Sequence, residues 1–369
     1  MKKIAVLLML FLLSSSINLA YAGSLYNYPY LFKGTRSLGM GGTFTAVGKD
    51  PEALFYNPAG LYEMGFQLAV FNPLIEVDQN TLDLGKDLAD AVNKNTDTER
   101  INALTDIISK NMGKPLHLRF SLFPHVAVKN VVVGAIGQGI IDSRLHNPLG
   151  SQGAVEVDGG YEYGPVLGLS IGLPVTGLRL GVGAKYIFNT WIEEGFTIRQ
   201  IATDGFDPMK DKIAKNDFSF DVGLLYDIPV LESINPKAGA SLLDITDLNF
   251  QDKNGKGRKI PMRGNLGLSI NPSLLSFMDV ILAMDYQDIT HNYKQDSSTW
   301  KRIHMGTELG FLRHHLLLRA GLNQGYPSAG VQFDLWILKL DYVYYSEEMG
   351  AYAGQDKDTR HMVQISLGW

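Results

Sequence analysis

From Trp336 to Tyr345 the chain alternates one residue at a time. One row reads Trp336, Leu338, Leu340, Tyr342, Tyr344, aliphatic in the middle and aromatic at both ends; the other reads Ile337, Lys339, Asp341, Val343, Tyr345. A strand sends successive side chains to opposite faces, so one face is apolar and the other carries charge. The pattern recurs in Leu178–Asn189, in Phe218–Asp227, where Phe218, Phe220, Val222, Leu224 and Tyr226 oppose Ser219, Asp221, Gly223, Leu225 and Asp227, and in Arg302–Phe311. Charges on these faces are interspersed with glycines, as in a confined lumen. A soluble sandwich turns its charges to water and its aromatics to the core. A membrane barrel does the reverse, and a charge facing lipid at mid-depth costs about 2–4 kcal/mol, which sets the phase of every strand.

Read this way, strands fall near 66–72, 116–129, 131–145, 156–172, 177–192, 216–227, 236–246, 260–270, 277–288, 299–311, 314–323, 326–334, 336–346 and 358–368. That is fourteen, an even number as single-chain bacterial barrels have. The last strand places Val363, Ile365, Leu367 and Trp369 on one face, an aromatic terminus resembling the signal read by the barrel-assembly machinery. Connections at one end are brief; at the other 73–115, 193–215 and 247–259 are long, the asymmetry of an outer-membrane barrel. Within 73–115, Leu82, Leu84 and Leu88 precede Ile101, Leu104, Ile107 and Ile108 at helical spacing, the second stretch starting near Thr96-Asp97. This helical insertion is either a cap packed on the rim or an apolar groove for a hydrophobic ligand.

The amino terminus supplies the address. Lys2 and Lys3, the apolar run Ile4–Leu13 and Ala20-Tyr21-Ala22 form a signal peptide, expected over 1–22. That run is too short for a membrane helix, which needs roughly 20 residues, and none longer follows. A secreted soluble β-protein and an outer-membrane barrel both fit export; the alternation favours the barrel. Cysteine is absent, so there is no disulfide framework and no lipid-bearing cysteine. Loss of Lys2 and Lys3 takes the formal charge from −5 to −7, which argues against nucleic acid as a partner. The eight histidines are scattered; His314 and His315 straddle two faces of a strand, poor geometry for a shared metal. No catalytic elbow or metalloprotease helix is present, and neither an enzyme nor a cofactor is expected.

Gly34 to Leu61 forms a compact segment ahead of the first strand. Gly34 and Gly39 have phosphate-loop spacing, but Met40 and Gly41 stand where Lys and Ser/Thr are required, and nucleotide binding is rejected. Gly39, Gly41 and Gly42 permit tight backbone approach. Asp50 caps a short helix with Pro51 at its first position, and Asn57-Pro58 ends it. From Leu38-Gly-Met-Gly-Gly through Asp50 and Ala53 to Asn57-Pro58-Ala59-Gly60-Leu61, the segment resembles the N-terminal hatch of the FadL/TodX superfamily of outer-membrane transporters; the opening is also similar to that of PorV-type and conjugation-related barrels. The resemblance implies a fourteen-stranded barrel carrying long-chain fatty acids or other hydrophobic compounds, with the family's hatch motif on Asn57, Pro58 and Ala59.

The expected organisation is a signal peptide over 1–22, a periplasmic or lumenal hatch over 23–64 and a β-barrel over 65–369. Such a barrel sits among outer-membrane lipid. A hydrophobic ligand needs an opening in the wall rather than a watery pore. Pro124 interrupts one strand, and Gly134, Gly137 and Gly139 thin the packing of the next, marking either a wall opening or an ordinary bulge. Arg119, Arg179, Arg263, Arg302 and Arg319, with Asp221, Asp279, Asp285, Glu308 and Asp341, are expected to mesh in the lumen; an arginine there could also meet a ligand carboxylate. The alternative function is a non-transporting scaffold in protein secretion or conjugation.

Overall fold

A computed structural model describes residues 27–62, 64–148, 153–202, 207–230, 232–272, 277–293 and 298–368. The expected signal peptide and Trp369 lie outside the described residues. Fourteen antiparallel strands close on themselves. Strand β1 runs in two halves, Met64–Phe71 and Leu74–Asp78, and β2 in two halves, Pro115–Leu122 and His125–Lys129. Then come β3 (Val131–Leu145), β4 (Val155–Gly172), β5 (Leu178–Phe196), β6 (Ile213–Asp227), β7 (Lys237–Leu243), β8 (Arg263–Ile270) and β9 (Met278–Tyr286). They are followed by β10 (Ile303–Phe311), β11 (Leu316–Asn323), β12 (Tyr326–Leu335), β13 (Leu338–Glu348) and β14 (Lys357–Gly368). Each strand pairs with its sequence neighbour, and β14 returns to β1 through Arg360↔Asp78 to Gln364↔Leu74 and, lower down, Ala69↔Gly368. Closure leaves no sheet edge among the described strands.

The sequence strands all appear, with shifted ends. The expected strand 66–72 continues past Pro73, because the fold breaks the strand where proline cannot donate and resumes it at Leu74. The segment 299–302 is a 3-10 turn, so Arg302 precedes its strand instead of lining it. Outward rows are exposed and apolar: on β4, Tyr161, Tyr163, Leu167, Leu169 and Ile171 are all more than 40% accessible. Inward, Lys185, Asp221, Glu308, Arg319 and Arg360 are buried. Apolar outside with charge inside requires a hydrocarbon solvent, so the barrel is transmembrane. No helix among the described residues is long and apolar enough to cross a membrane.

The helical insertion forms α2 (Gln79–Val92) and α3 (Asp97–Lys110), numbered after the short α1 (Thr35–Gly39); α4 (Ile198–Ala202) lies in the β5–β6 loop. Asp78 caps α2 through the amides of Asn80 and Thr81. Thr96 and Glu99 close a reciprocal capping box on α3, as the Thr96-Asp97 start implied. Their apolar stripes, Leu84, Leu88 and Ala91 on one and Leu104 and Ile108 on the other, bury against Leu145, Ala154, Ile198 and Ala202.

Residues 27–62 lie in the lumen and traverse it. Asn27 donates to Asp142 near the loop rim, Tyr28 stacks on Tyr293 in the β9–β10 loop, and Tyr62 reaches Gly172 at the turn rim. Phe32, Phe44, Leu54, Phe55 and Leu61 pack against the inward side chains Phe123, Val132, Ile136, Val166 and Ile187. Each such large side chain contributes about 1.5–3 kcal/mol when buried.

Candidate functional site

The lumenal segment is seated on glycine. A Cβ on Gly181 would lie 2.0 Å from the Ala59 amide nitrogen, one on Gly223 1.9 Å from Asn57 Oδ1, and one on Gly239 2.2 Å from the Thr45 carbonyl oxygen. Across the barrel, a Cβ on Gly306 would lie 2.0 Å from the Met40 carbonyl oxygen and one on Gly321 2.4 Å from the Gly41 amide nitrogen. These glycines are neighbours in the ladder, Gly181 opposite Gly223 and Gly306 opposite Gly321. A belt of wall backbone thus touches segment backbone, a closeness that only the absence of a side chain allows.

Asn57 joins the two. Buried completely, it donates from Nδ2 to the carbonyls of Thr45 (2.7 Å) and Leu224 on β6 (2.9 Å), and its Oδ1 accepts from the Ala59 amide at 3.1 Å. Two 3-10 turns flank it, Pro51–Phe55 capped by Asp50 and Pro58–Leu61 capped by Asn57 itself. Asn57-Pro58 therefore ends one turn and opens the next, with Pro58 at the first position where its missing N–H costs nothing. The Ala59 carbonyl accepts from Ser170 Oγ at 3.2 Å.

Charge ties the segment to the opposite wall. Arg36 donates to Glu308 (2.7 and 3.0 Å) and to Asp50 (3.0 Å); Arg319 donates to the same Glu308 (2.7 Å) and to Asp341 (3.1 Å). Lys33 pairs with Glu347 and stands 4.0 Å from Glu76. Glu76 also meets His117 at 3.0 Å and Arg360 at 3.2 Å, and His117 meets Asp142 at 2.6 Å. Burial pulls Lys33 below its ordinary range, opposed by the two glutamates. Burial, with Asp50 and Asp341 outweighing Arg319 and Arg36, pushes Glu52 well above the ordinary carboxylate range.

The lumenal mesh differs from the expected set. Asp285 accepts from the amides of Phe44 (2.8 Å) and Thr45 (2.9 Å), which makes it a seat for the segment instead of an arginine partner. Asp221 pairs with Lys185 (2.9 Å), which also reaches Asp244 (2.6 Å). Arg179 pairs with Asp227 at the turn rim, Arg263 lies over the Tyr30 ring, and Arg302 contacts His291. Asp279 leaves the mesh altogether: it sits exposed at the turn rim beside His314, because β9 begins there and its first residues lie outside the closed interior. Residues 312–315 form a turn, so His314 and His315 precede β11 rather than share its faces.

Pro124 lies between the halves of β2. Towards β3 the register runs unshifted from Leu122↔Gly137 to His125↔Gly134, and the Ala135 amide donates to the Pro124 carbonyl at 3.0 Å. Towards β1 the ladder is interrupted, since Ser121 faces Leu74 but His125 faces Ala69. Asn72 spans the gap: its Nδ2 donates to the Phe123 carbonyl (2.7 Å) and its Oδ1 accepts from the Phe123 amide (2.8 Å). The Phe123 ring turns inward onto Phe32 and Phe55, and Gly134 leaves it room. Gly137 and Gly139 face outward instead, a Cβ on Gly137 meeting nothing within 4 Å.

Two hollows adjoin this wall. The inner one, about 120 Å³, is bounded by Arg36, Asp50, Glu52, Phe123 and Asp341. It is charged, and small beside the ~300–1,000 Å³ of typical ligand sites. The other, about 340 Å³, lies outside the barrel between α2, α3, the Pro208–Lys212 stretch and the outward faces of β2–β5. Leu88, Leu104, Ile108, Leu116, Val157 and Ile192 give it an apolar lining.

No protein-family model matches this chain, nor does any curated protein. Solved structures do. The Ralstonia pickettii toluene transporter TbuX superposes with a TM-score of 0.52 at 12% identity over 93% of this chain and 97% of that one. The Pseudomonas putida toluene transporter TodX gives 0.47 at 12% identity over 93% and 99%, and a Pseudomonas aeruginosa FadL homologue 0.46 at 10% over 91% and 97%. At these identities the likeness concerns architecture alone, and the near-complete overlap with TbuX gives this chain the fold of that β-barrel.

Proposed function

We propose that this chain is an outer-membrane channel for hydrophobic small molecules such as long-chain fatty acids or hydrocarbons. The observation that carries this reading is the apolar hollow against the outer wall of β2–β5, beside the strand pair that holds Pro124, Gly134, Gly137 and Gly139. A hydrophobic solute gains by leaving water for such a surface and then for lipid. In this reading residues 23–64 act as the hatch, with Asn57, Pro58 and Ala59 fixing it to the wall, and 65–369 form the barrel. Residues 1–22 direct export, the assembly machinery inserts the product, and the wall around Pro124 is where solute passes between protein and bilayer.

The test is uptake of labelled fatty acid or alkane by cells with and without the gene. Gene-dependent uptake supports the channel. Equal uptake favours a second reading, a scaffold in protein secretion or conjugation, which the filled lumen and the closure of β14 onto β1 also suit.

A further inference from the structure

The lumenal segment carries two lysines in opposite surroundings. Lys49 is exposed, whereas Lys33 is buried, its ammonium against Glu347 and 4.0 Å from Glu76. The charged groups gathered there belong to the wall. Glu76 lies on β1, His117 and Arg119 on β2, Asp142 on β3, Tyr345 and Glu347 on β13, Asp358 and Arg360 on β14, each close to the loop end of its strand. Arg360 reaches Glu76 at 3.2 Å and Glu347 at 3.3 Å, Arg119 stands 3.5 Å from Glu76, and Tyr345 donates to Glu76. All of these side chains are buried.

Without the segment, this wall group is short of positive charge. Glu76, Asp142, Glu347 and Asp358 bring four carboxylates, against the two guanidiniums of Arg119 and Arg360. His117, held between Asp142 and Glu76, adds at most one more positive charge. Asp78 is satisfied separately by the amides of Asn80, Thr81 and His117. Four against three leaves one carboxylate uncompensated, and Lys33 supplies the missing charge. Two atoms mark the place as a cation seat: Glu76 Oε2 and Glu347 Oε2 are buried and accept no hydrogen bond. A buried carboxylate left without a counter-charge is costly, so a cation must follow if Lys33 withdraws. The lysine head is a compact point charge on a flexible stem, which a free ion of similar size can replace. No cluster of His, Asp and Glu among the described residues suits a metal ion, and a single missing charge calls for a monovalent one.

We propose that Glu76 and Glu347 form a binding site for a small monovalent cation of ammonium size, filled by Lys33 while the segment is seated and by a free cation when Lys33 withdraws. The cation then competes with the seated segment, and its uptake is linked to opening. The site does not rest on the channel reading, and none of the readouts below involves solute uptake. Purified full-length protein is kept at constant ionic strength with N-methylglucamine chloride, whose cation is too large for the place, while ammonium chloride replaces it stepwise. Amide exchange over Leu31–Leu38 reads the withdrawal of Lys33, and the band shift on heating reports a folded barrel. Exchange should rise about three- to tenfold for a tenfold rise in ammonium. In Lys33→Ala the sign reverses: ammonium fills the vacated place and lowers exchange by a similar factor. Glu347→Gln abolishes the rise in the wild-type background and the fall in the Lys33→Ala background. Wild-type exchange that ignores the swap of salts overturns the proposal, because ionic strength alone then matters. A rise that persists in folded Lys33→Ala overturns the competition with Lys33, and a response that survives Glu347→Gln overturns the site. Should Lys33→Ala lose its heat shift, the wild-type and Glu347→Gln series decide alone.

Discussion

Replacing Asn57 tests how the lumenal segment is held. In Asn57→Ala the Thr45 carbonyl and the Ala59 amide lose their partners in a fully buried place, and the Leu224 carbonyl loses a donor. Each orphaned buried group costs about 1–3 kcal/mol, so the two certain losses amount to about 2–6 kcal/mol of local seating energy. At about 1.4 kcal/mol per factor of ten, that is roughly a 30- to 20,000-fold rise in local opening. Asn57→Asp is nearly isosteric and sharpens the test. It still accepts from Ala59, but it sets a carboxylate against two carbonyl oxygens where Nδ2 used to donate, so it opens the segment more than alanine does. Amide hydrogen exchange over Ala53–Leu61 in the purified barrel reads this opening while exchange in the strands reports the wall. Wild-type-like protection in Asn57→Asp, or an increase below tenfold in Asn57→Ala, would falsify the account of this residue as the joint between segment and wall.

Other outcomes follow from the same geometry. Gly306→Ala places a methyl 2.0 Å from the Met40 carbonyl oxygen and should expose residues 27–62 to protease in a barrel that still shows its heat shift, whereas Gly137→Ala, facing open space, should change neither. Asn72→Ala removes both bridges to Phe123 and should raise exchange at the Phe123 amide by about 5- to 150-fold, a buried amide left unpartnered costing about 1–3 kcal/mol; no rise means the wall there is held by other contacts. Glu52 has a folded-state pKa raised above its ordinary 4.5, mainly by burial, so the free segment gives up this proton at lower pH than the seated one. Its contribution is intact below about pH 4.5 and is lost as pH rises towards the raised folded value. Protection across 27–62, taken relative to the intrinsic rise of amide exchange with pH, should fall as pH rises above about 4.5, and Glu52→Gln should remove that fall; an unchanged fall assigns it to another group.

Much of the fold was legible because a barrel strand is a strict two-residue code. Alternation located all fourteen strands, the Thr96-Asp97 start gave the capping box, and the Asp50-Pro51 and Asn57-Pro58 pairs marked the turns of the lumenal segment. What escaped depended on three-dimensional closure. Pro73 looked like the end of a strand, yet β14 supplies a neighbour that lets β1 resume. Asp279 and Arg302 carried the right charge for the lumen, but their height on the barrel depends on where the neighbouring loop begins. Lys185 and Asp285 were readable as lumen-facing, though nothing in the sequence distinguishes a carboxylate that meets a lysine from one that caps the amides of Phe44 and Thr45. Asn72 gave no signal, because its role depends on a strand fifty residues away. The glycines at 181, 223, 239, 306 and 321 all fall on charge-bearing rows, a pattern that in hindsight marks where another backbone must approach. Helical periodicity found α2 and α3, but whether they cover the lumen or lean on the outer wall was set by Leu145 and Ala154 at the two ends of the β3–β4 connection and Ile198 in the β5–β6 loop.

The central claim is that this barrel moves hydrophobic molecules while its lumen stays filled. It is tested most directly by the rate at which albumin-bound oleate enters the membrane of proteoliposomes containing the purified protein, measured against protein-free vesicles that hold the same trapped salt-sensitive dye. The account predicts faster oleate entry with no added salt leak. An unchanged oleate rate, or acceleration that appears only together with salt leak through an open lumen, contradicts it.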